Sequence, residues 1–259
     1  MKKRIGLILT LCLLAVFSFA GCSSSTSSQT GTITVAAASS LKNCMDQKVI
    51  PAFNAKYPNI KIQTTYDSSG KLQTQIEQGA SVDVFMSAAM KQMTALDTEG
   101  LMLKDSIVQL LSNKIVLIVP KDSTLGLTSY ADIVKANKIA IGDPATTPAG
   151  QYGKESLTNL NLWDQVSAKA SLGTNVTEVL NWVASGSADA GIVFVTDAQS
   201  NSNVKVVAEA PATSYSKVIY PVGIVKASKN QDAAKAFEEY LKTDEAIKIF
   251  ESYGFTANK

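Results

Sequence analysis

Short apolar runs alternate with longer amphipathic stretches along this chain from residue 32 onwards. The runs are rich in Val and Ile, which is typical of strands, and they occupy residues 33–37, 60–66, 82–86, 115–119, 139–141, 191–195, 204–207 and 218–225. The stretches between them have helical periodicity and occupy residues 41–57, 71–77, 90–99, 151–160, 176–184, 231–241 and 244–253. This alternation predicts the α/β class, with mostly parallel sheets that are flanked by helices.

Two of the apolar runs are spaced like crossings between two lobes. If the runs at 115–120 and 218–225 are both crossovers, lobe 1 consists of residues 31–113 and 221–259, and lobe 2 consists of residues 114–220. A single continuous doubly wound domain is the alternative that the pattern leaves open.

The N-terminus has the pattern of a targeting segment. A basic start at residues 2–4 precedes an apolar run at 5–20, which is shorter than the roughly 20 residues that a membrane-spanning helix needs. Gly21-Cys22 and a Ser/Thr-rich stretch follow, and this order resembles the bacterial lipobox, although Phe19 stands where leucine is usual. We therefore expect a lipoprotein signal peptide at 1–22, lipidation of Cys22, a tether at 23–30 and an extracytoplasmic, membrane-anchored protein. A plain N-terminal anchor helix is the alternative.

The composition excludes several classes of function. A formal net charge of +2 over 259 residues gives no electrostatic excess for binding nucleic acid. The chain has no histidine, which removes the commonest general base and the commonest transition-metal ligand. No cofactor, no metal cation and no enzyme activity are therefore expected. A secreted hydrolase that uses Ser40 or Ser69 is a remote alternative, because neither serine lies in a G-x-S-x-G turn.

Four predicted helices begin with small or hydroxylated residues, in the turns at 37–41, 67–70, 148–150 and 173–176. A helix N-terminus carries unpaired N–H groups and a partial positive charge, so it is suited to binding an anion. In open α/β sheets, ligands bind at the carboxyl ends of strands, where these turns are predicted to lie. Ordinary helix capping explains any one turn equally well. Taken together, the four turns indicate an anion site that needs no Lys or Arg.

Ordered matches along residues 32–256 carry a resemblance to the molybdate-binding proteins of ABC importers. The chain is similar to that family in the segments 33–41, 68–69 with 75–80, 83–88, 142–144 with 148–152, 191–194, 220–222, and 249–250 with 253–255. The resemblance implies a two-lobed, type II periplasmic-binding-protein fold that closes on its ligand. It also implies a permease and an ATPase as partners. Nothing in the sequence suggests an obligate oligomer, so we expect a monomer.

The resemblance also implies which residues hold the oxyanion. The two serines of the first lobe correspond to Ser40 and Ser69, and the backbone amides of the second lobe correspond to Ala149 and Val176. The family's tyrosine position falls on Phe194, which has no hydroxyl, so one hydrogen bond of the family is absent or replaced. Alternatives within the same class are a protein specific for tungstate only, for sulfate, for phosphate or for a small organic anion. A surface adhesion or scaffold lipoprotein is a further alternative of another class.

Overall fold

The computed structural model describes residues 30–258, which form two β-sheets with helices packed around them. The strands are β1 Gly31–Ala38, β2 Ile60–Asp67, β3 Val84–Met86, β4 Val108–Asn113, β5 Ile115–Pro120, β6 Ile139–Gly142, β7 Ala170–Gly173, β8 Ala190–Phe194, β9 Val204–Glu209, β10 Val218–Ile224 and β11 Thr256–Ala257. The α-helices are α1 Lys42–Cys44, α2 Ile50–Lys56, α3 Ser69–Glu77, α4 Met90–Thr98, α5 Pro148–Asn159, α6 Trp163–Ser167, α7 Val176–Ala184, α8 Val195–Gln199, α9 Gln231–Leu241 and α10 Asp244–Ser252. Two 3₁₀ segments (Ser39–Leu41, Tyr130–Lys135) and a π-helical segment (Met45–Val49) complete the elements.

The first sheet has the strand order β11-β4-β10-β3-β1-β2. Strand β1 lies next to the edge strand β2, runs parallel to β2 and β3, and is buried from Val35 to Ala38. Strands β10, β4 and β11 extend the sheet in antiparallel pairings. Burial on both faces explains why residues 35–38 of β1 are apolar without alternation.

The second sheet has the strand order β7-β6-β8-β5-β9. Strand β6 runs parallel to β7 and β8, whereas β5 is antiparallel to both β8 and β9. Both β5 and β8 are buried along almost their whole length, and all their paired residues except Gly191 are Val, Ile, Leu or Phe. Each sheet is therefore mixed and not mostly parallel as predicted: parallel strands form one side of the sheet, and antiparallel pairings extend the other side.

The antiparallel strands follow from how the chain passes between the sheets. Only Lys114 separates β4 of the first sheet from β5 of the second, and residues 210–217 carry the chain back from β9 to β10. A strand that enters a sheet directly from another strand, without a helical crossover, need not keep the parallel sense of its neighbours. The α/β class is confirmed. The exact lobe boundaries stay a prediction, and β10 begins three residues before the proposed return at 221.

Three strands have no counterpart among the predicted ones: β4, β7 and β11. Strands β7 and β11 form the edges of their sheets and are only four and two residues long. Short edge strands are held by backbone pairing, so they carry little apolar pattern. Cys44 is buried in the core, and burial raises the pKa of its thiol to about 12, which agrees with a packing role.

The predicted signal peptide, Cys22 and nearly all of the tether lie outside the described residues. Within residues 30–258, no helix combines the length and the apolar character needed to cross a membrane.

Candidate functional site

One small cavity between the two sheets is lined by all five residues predicted to bind a ligand. Ser40, Ser69, Ala149, Val176 and Phe194 surround a volume of only about 10 Å³. The remaining lining residues are Ala38, Ser39, Asp67, Ser68, Ala88, Thr147 and Pro148. These residues follow the carboxyl ends of the parallel strands in both sheets, as the rule for open α/β sheets predicts.

On the side of the first sheet, the hydroxyl of Ser69 is already a hydrogen-bond acceptor. Ser69 is the first residue of α3, is fully buried, and its Oγ accepts a hydrogen bond of 3.0 Å from the backbone N–H of Ala88. Among residues 30–258 its hydroxyl proton has no protein acceptor. The proton is therefore available to a ligand in the cavity.

The neighbouring Ser68 is the N-cap residue of α3, but its hydroxyl does not cap the helix. Its Oγ is buried and has no hydrogen-bond partner within the described part of the chain. The carboxylate of Asp67 accepts a 2.7 Å hydrogen bond from the N–H of Ser68 and lies 3.5 Å from the ammonium of Lys71. Asp67 thus braces the turn, and its charge is compensated by Lys71.

Ser40 follows β1 in the short 3₁₀ segment and makes a different contact. Its Oγ lies 2.9 Å from the hydroxyl of Tyr220, which is buried in β10 between the rings of Phe194 and Phe255. The segment 220–222 belongs to the family resemblance, but nothing in the sequence indicates that Tyr220 contacts Ser40, which lies 180 positions away.

On the side of the second sheet, two helix starts each have a residue that lines the cavity and whose backbone N–H has no acceptor in the described residues. At α5, Pro148 has no N–H and the N–H of Gly150 is capped by Thr147 Oγ1 at 3.1 Å, so the N–H of Ala149 is left over. At α7, the side chain of Asn175 accepts from the N–H of Glu178 at 3.0 Å. The N–H of Val176, at the first position of that helix, again has no acceptor in the described residues. Both amides border the cavity.

Phe194 forms the apolar wall of the site. Its ring is buried and packs edge-on against Tyr152 and Tyr220. Its side chain adds no hydrogen-bond donor to the cavity.

The polar groups of the cavity are mainly donors. Asp67 is the one charged side chain of the lining, and no cluster of His, Cys, Asp or Glu that could hold a metal ion occurs within residues 30–258. Hydroxyl and N–H donors at the starts of α3, α5 and α7 suit a small anion. The arrangement contains no nucleophile paired with a base.

Comparison with known proteins settles the family. The model of the family described as bacterial extracellular solute-binding protein matches residues 33–256. The chain belongs to this family. A solute-binding protein of this kind acts outside the cytoplasm and binds its ligand without converting it, which confirms the expectations of an extracytoplasmic location and of no enzyme activity.

Individual relatives match this chain over nearly its whole length. A protein of Bacillus subtilis, YvgL, named as a candidate substrate-binding lipoprotein of an ABC transporter, is 44% identical over 95% of each chain. The molybdate-binding protein ModA of Haemophilus influenzae is 36% identical over 98% of this chain and 99% of its own. The periplasmic molybdate-binding protein of Azotobacter vinelandii superposes with a TM-score of 0.79 over 88% of this chain and 100% of its own, at 24% identity, which confirms the periplasmic-binding-protein fold.

Asp197 gives the site region a testable pH dependence. It lies on α8, three positions after Phe194, is 5% exposed, and one of its carboxyl oxygens has no partner in the described chain. Burial raises the pKa of this carboxyl to about 7. Since the folded pKa exceeds the unfolded one, the folded state holds a proton that the unfolded state releases, and stability falls as pH rises from about 4 to about 7.

We expect Asp197→Asn to remove this fall in stability with rising pH, because an asparagine side chain does not ionise. The difference in free energy of unfolding between the variant and the wild type should grow in favour of the variant between pH 4 and pH 7, as measured by urea denaturation at each pH. A difference that is constant across this range would show that Asp197 is ionised in the folded protein.

Proposed function

We propose that this chain captures molybdate between two lobes, residues 31–113 with 221–259 and residues 114–220, and delivers it to an ABC importer. The observation that carries the proposal is the convergence of Ser40, Ser69, Ala149 and Val176 on one donor-lined cavity. Relatives named as molybdate-binding proteins support the choice of ion.

The donors match a tetrahedral dianion. The hydroxyls of Ser40 and Ser69 and the N–H groups of Ser69, Ala149 and Val176 act as the ligands. Helix N-termini add partial positive charge, so that the dianion is held without a Lys or Arg in contact. A site made of donors disfavours protonated phosphate, whose O–H needs an acceptor. Molybdate and tungstate are nearly the same size, and both bind; sulfate is smaller and fits the donors less well.

Phe194 lowers the number of donors by one relative to the family pattern. A hydrogen bond to a charged group is worth roughly 1.5 to 3 kcal/mol, which corresponds to about one to two decades in affinity. The ring instead excludes water from one side of the ion, and this strengthens the remaining hydrogen bonds.

Closure of the lobes completes the site, because donors come from both sides of the cavity. The backbone N–H of Gly70 donates a 2.9 Å hydrogen bond to the carbonyl oxygen of Thr146 across the cleft. Nearby, the amide of Asn175 lies 3.5 Å from Asp67, and the side chains of Gln92 and Gln151 meet at 3.3 Å. These contacts stabilise the closed arrangement, and binding of the ion favours it further.

The proposal extends to the membrane and to the partners. Lipidation of Cys22 anchors the protein, which works as a monomer and presents the loaded, closed form to the permease and its ATPase. The N-terminal sequence and the lipoprotein relative support the anchor. The ligand is the cargo of transport, and no cofactor takes part.

Calorimetric titration with molybdate, tungstate, sulfate and phosphate tests the proposed ligand. Residues 23–259 should bind molybdate and tungstate with one-to-one stoichiometry, and sulfate and phosphate at least a hundredfold more weakly. Tight binding of sulfate or phosphate instead would change the ligand but keep the class. If none of the four anions gives heat of binding or thermal stabilisation, the turns at the helix starts only cap their helices and do not bind an anion.

Ser69→Ala should raise the molybdate Kd tenfold or more, because it removes a hydroxyl whose proton is free to donate a hydrogen bond to the ion in the cavity. Ser106→Ala is the matched control: Ser106 is also buried and its Oγ also accepts a 3.0 Å hydrogen bond from a backbone N–H, that of Ile224, but it lies away from the cavity. The control should bind molybdate like the wild type. Equal affinities of the two variants would remove Ser69 from the site.

Gly70→Ala should hold the cleft open. A Cβ at this position would lie 2.4 Å from the carbonyl oxygen of Thr146 on the other side of the cleft, too close for the closed form. In the open form the new methyl group is harmless, and alanine favours the first turn of α3 by up to about 1 kcal/mol. We expect the molybdate Kd to rise at least tenfold while the melting temperature without ligand stays the same or increases.

Thr74→Ala, at an exposed position of the same helix, serves as the control for helix propensity. Small-angle scattering with molybdate should show compaction for this control and for the wild type, but not for Gly70→Ala. Full compaction of Gly70→Ala with normal affinity would mean that the Gly70–Thr146 approach does not limit closure.

A further inference from the structure

A buried chain of polar side chains leads from the crossing between the two sheets to the hydroxyl of Ser40. The Nδ2 of Asn113 lies 3.3 Å from the hydroxyl of Tyr220, which in turn lies 2.9 Å from the Oγ of Ser40. Asn113 is 8% exposed and Tyr220 only 1%. Neither side chain lines the cavity, so any effect on a ligand passes through Ser40.

The orientation of the Asn113 amide is fixed by its other contacts. Its Oδ1 accepts a 2.8 Å hydrogen bond from the backbone N–H of Lys114, which only an oxygen can do. Its Nδ2 therefore faces Tyr220 and also donates to Thr196 Oγ1 at 3.0 Å. The hydroxyl oxygen of Tyr220 consequently accepts a hydrogen bond from Asn113.

The proton of the Tyr220 hydroxyl then has one acceptor available. Among the described residues, Ser40 Oγ is the remaining hydrogen-bond partner of this hydroxyl. A buried hydroxyl proton without an acceptor is energetically unfavourable, so the favoured arrangement has Tyr220 donating to Ser40. Burial also raises the pKa of Tyr220 well above its ordinary value, which keeps this proton in place at physiological pH.

We infer that Asn113 and Tyr220 are positioning residues that set the direction of the Ser40 hydroxyl, so that its proton points to the oxyanion. All hydrogen bonds of the chain then run in one direction, from Asn113 through Tyr220 and Ser40 to the ligand. Ser69 reaches the same state by a shorter route, because its Oγ accepts from the N–H of Ala88. Both serines are thus held as donors before the ion arrives, and aligned hydrogen bonds strengthen one another. This inference rests on the proposed function.

The position of Asn113 connects the chain of side chains to lobe closure. Asn113 is the last residue of β4, immediately before the crossing, and its Nδ2 contacts Thr196 on α8 beside the second sheet as well as Tyr220 in the first. The arrangement that orients Ser40 therefore depends on both sheets being in place.

A double-mutant cycle with molybdate titration tests the inference, using wild type, Tyr220→Phe, Ser40→Ala and the double variant. Tyr220→Phe keeps the ring that packs against Phe194 and Phe255 and removes only the hydroxyl. We expect its Kd to rise five- to tenfold, with a melting temperature without ligand close to that of the wild type. In the Ser40→Ala background the same change should have almost no effect, because Tyr220 acts only through Ser40.

Tyr240→Phe is the matched control, since Tyr240 is equally buried and its hydroxyl has no partner within residues 30–258. It should leave the Kd unchanged. A Tyr220→Phe effect that is the same with and without Ser40, or no effect on Kd at all, would overturn the inference while the wild-type titration still supported the proposed function. Failure of the wild type to bind any oxyanion would overturn both.

Discussion

Under the proposed function, the site holds a doubly charged ion with neutral groups. No Lys or Arg lines the cavity, so the attraction must come from N–H and O–H dipoles that are already aligned when the ion enters. Such dipoles can be fixed only by the fold: helix starts fix the amides of Ala149 and Val176, and hydrogen bonds from behind fix the hydroxyls of Ser40 and Ser69. The two sheets therefore serve to bring three helix N-termini and two serines to one point.

This constraint explains several local features of the chain. Thr147 uses its hydroxyl to cap Gly150, and Pro148 has no N–H, so that one amide of the first turn of α5 remains for the ligand. Gly150 packs so closely on the end of β6 that a Cβ would meet the carbonyl oxygen of Gly142 at 1.9 Å, which keeps α5 aimed at the cavity. Gly150 and Pro148 thus fix the direction of α5, and α5 in turn fixes the direction of the N–H of Ala149.

Much of this could be predicted from sequence because it is local. Apolar periodicity indicates strands such as β1 and β8, and the small residues before α3, α5 and α7 mark the helix starts. The mixed character of the sheets could not be predicted, because the sense of β5 depends on where the chain enters the second sheet. The roles of Asn113 and Tyr220 were also out of reach, since their contacts join residues 107 and 180 positions apart. Ser68 lay in a recognised turn, but only the structure shows that its hydroxyl is not used as a cap.

The most direct test of the central claim is a crystal structure of the protein with molybdate, in which anomalous scattering locates the metal. The account predicts one ion in the cavity, with its oxygens within hydrogen-bond distance of the Oγ atoms of Ser40 and Ser69 and of the backbone nitrogens of Ala149 and Val176. It also predicts that no Lys or Arg side chain contacts the ion. An ion bound elsewhere, or one held in the cavity by a basic side chain, would contradict the claim that neutral, pre-aligned donors hold the charge.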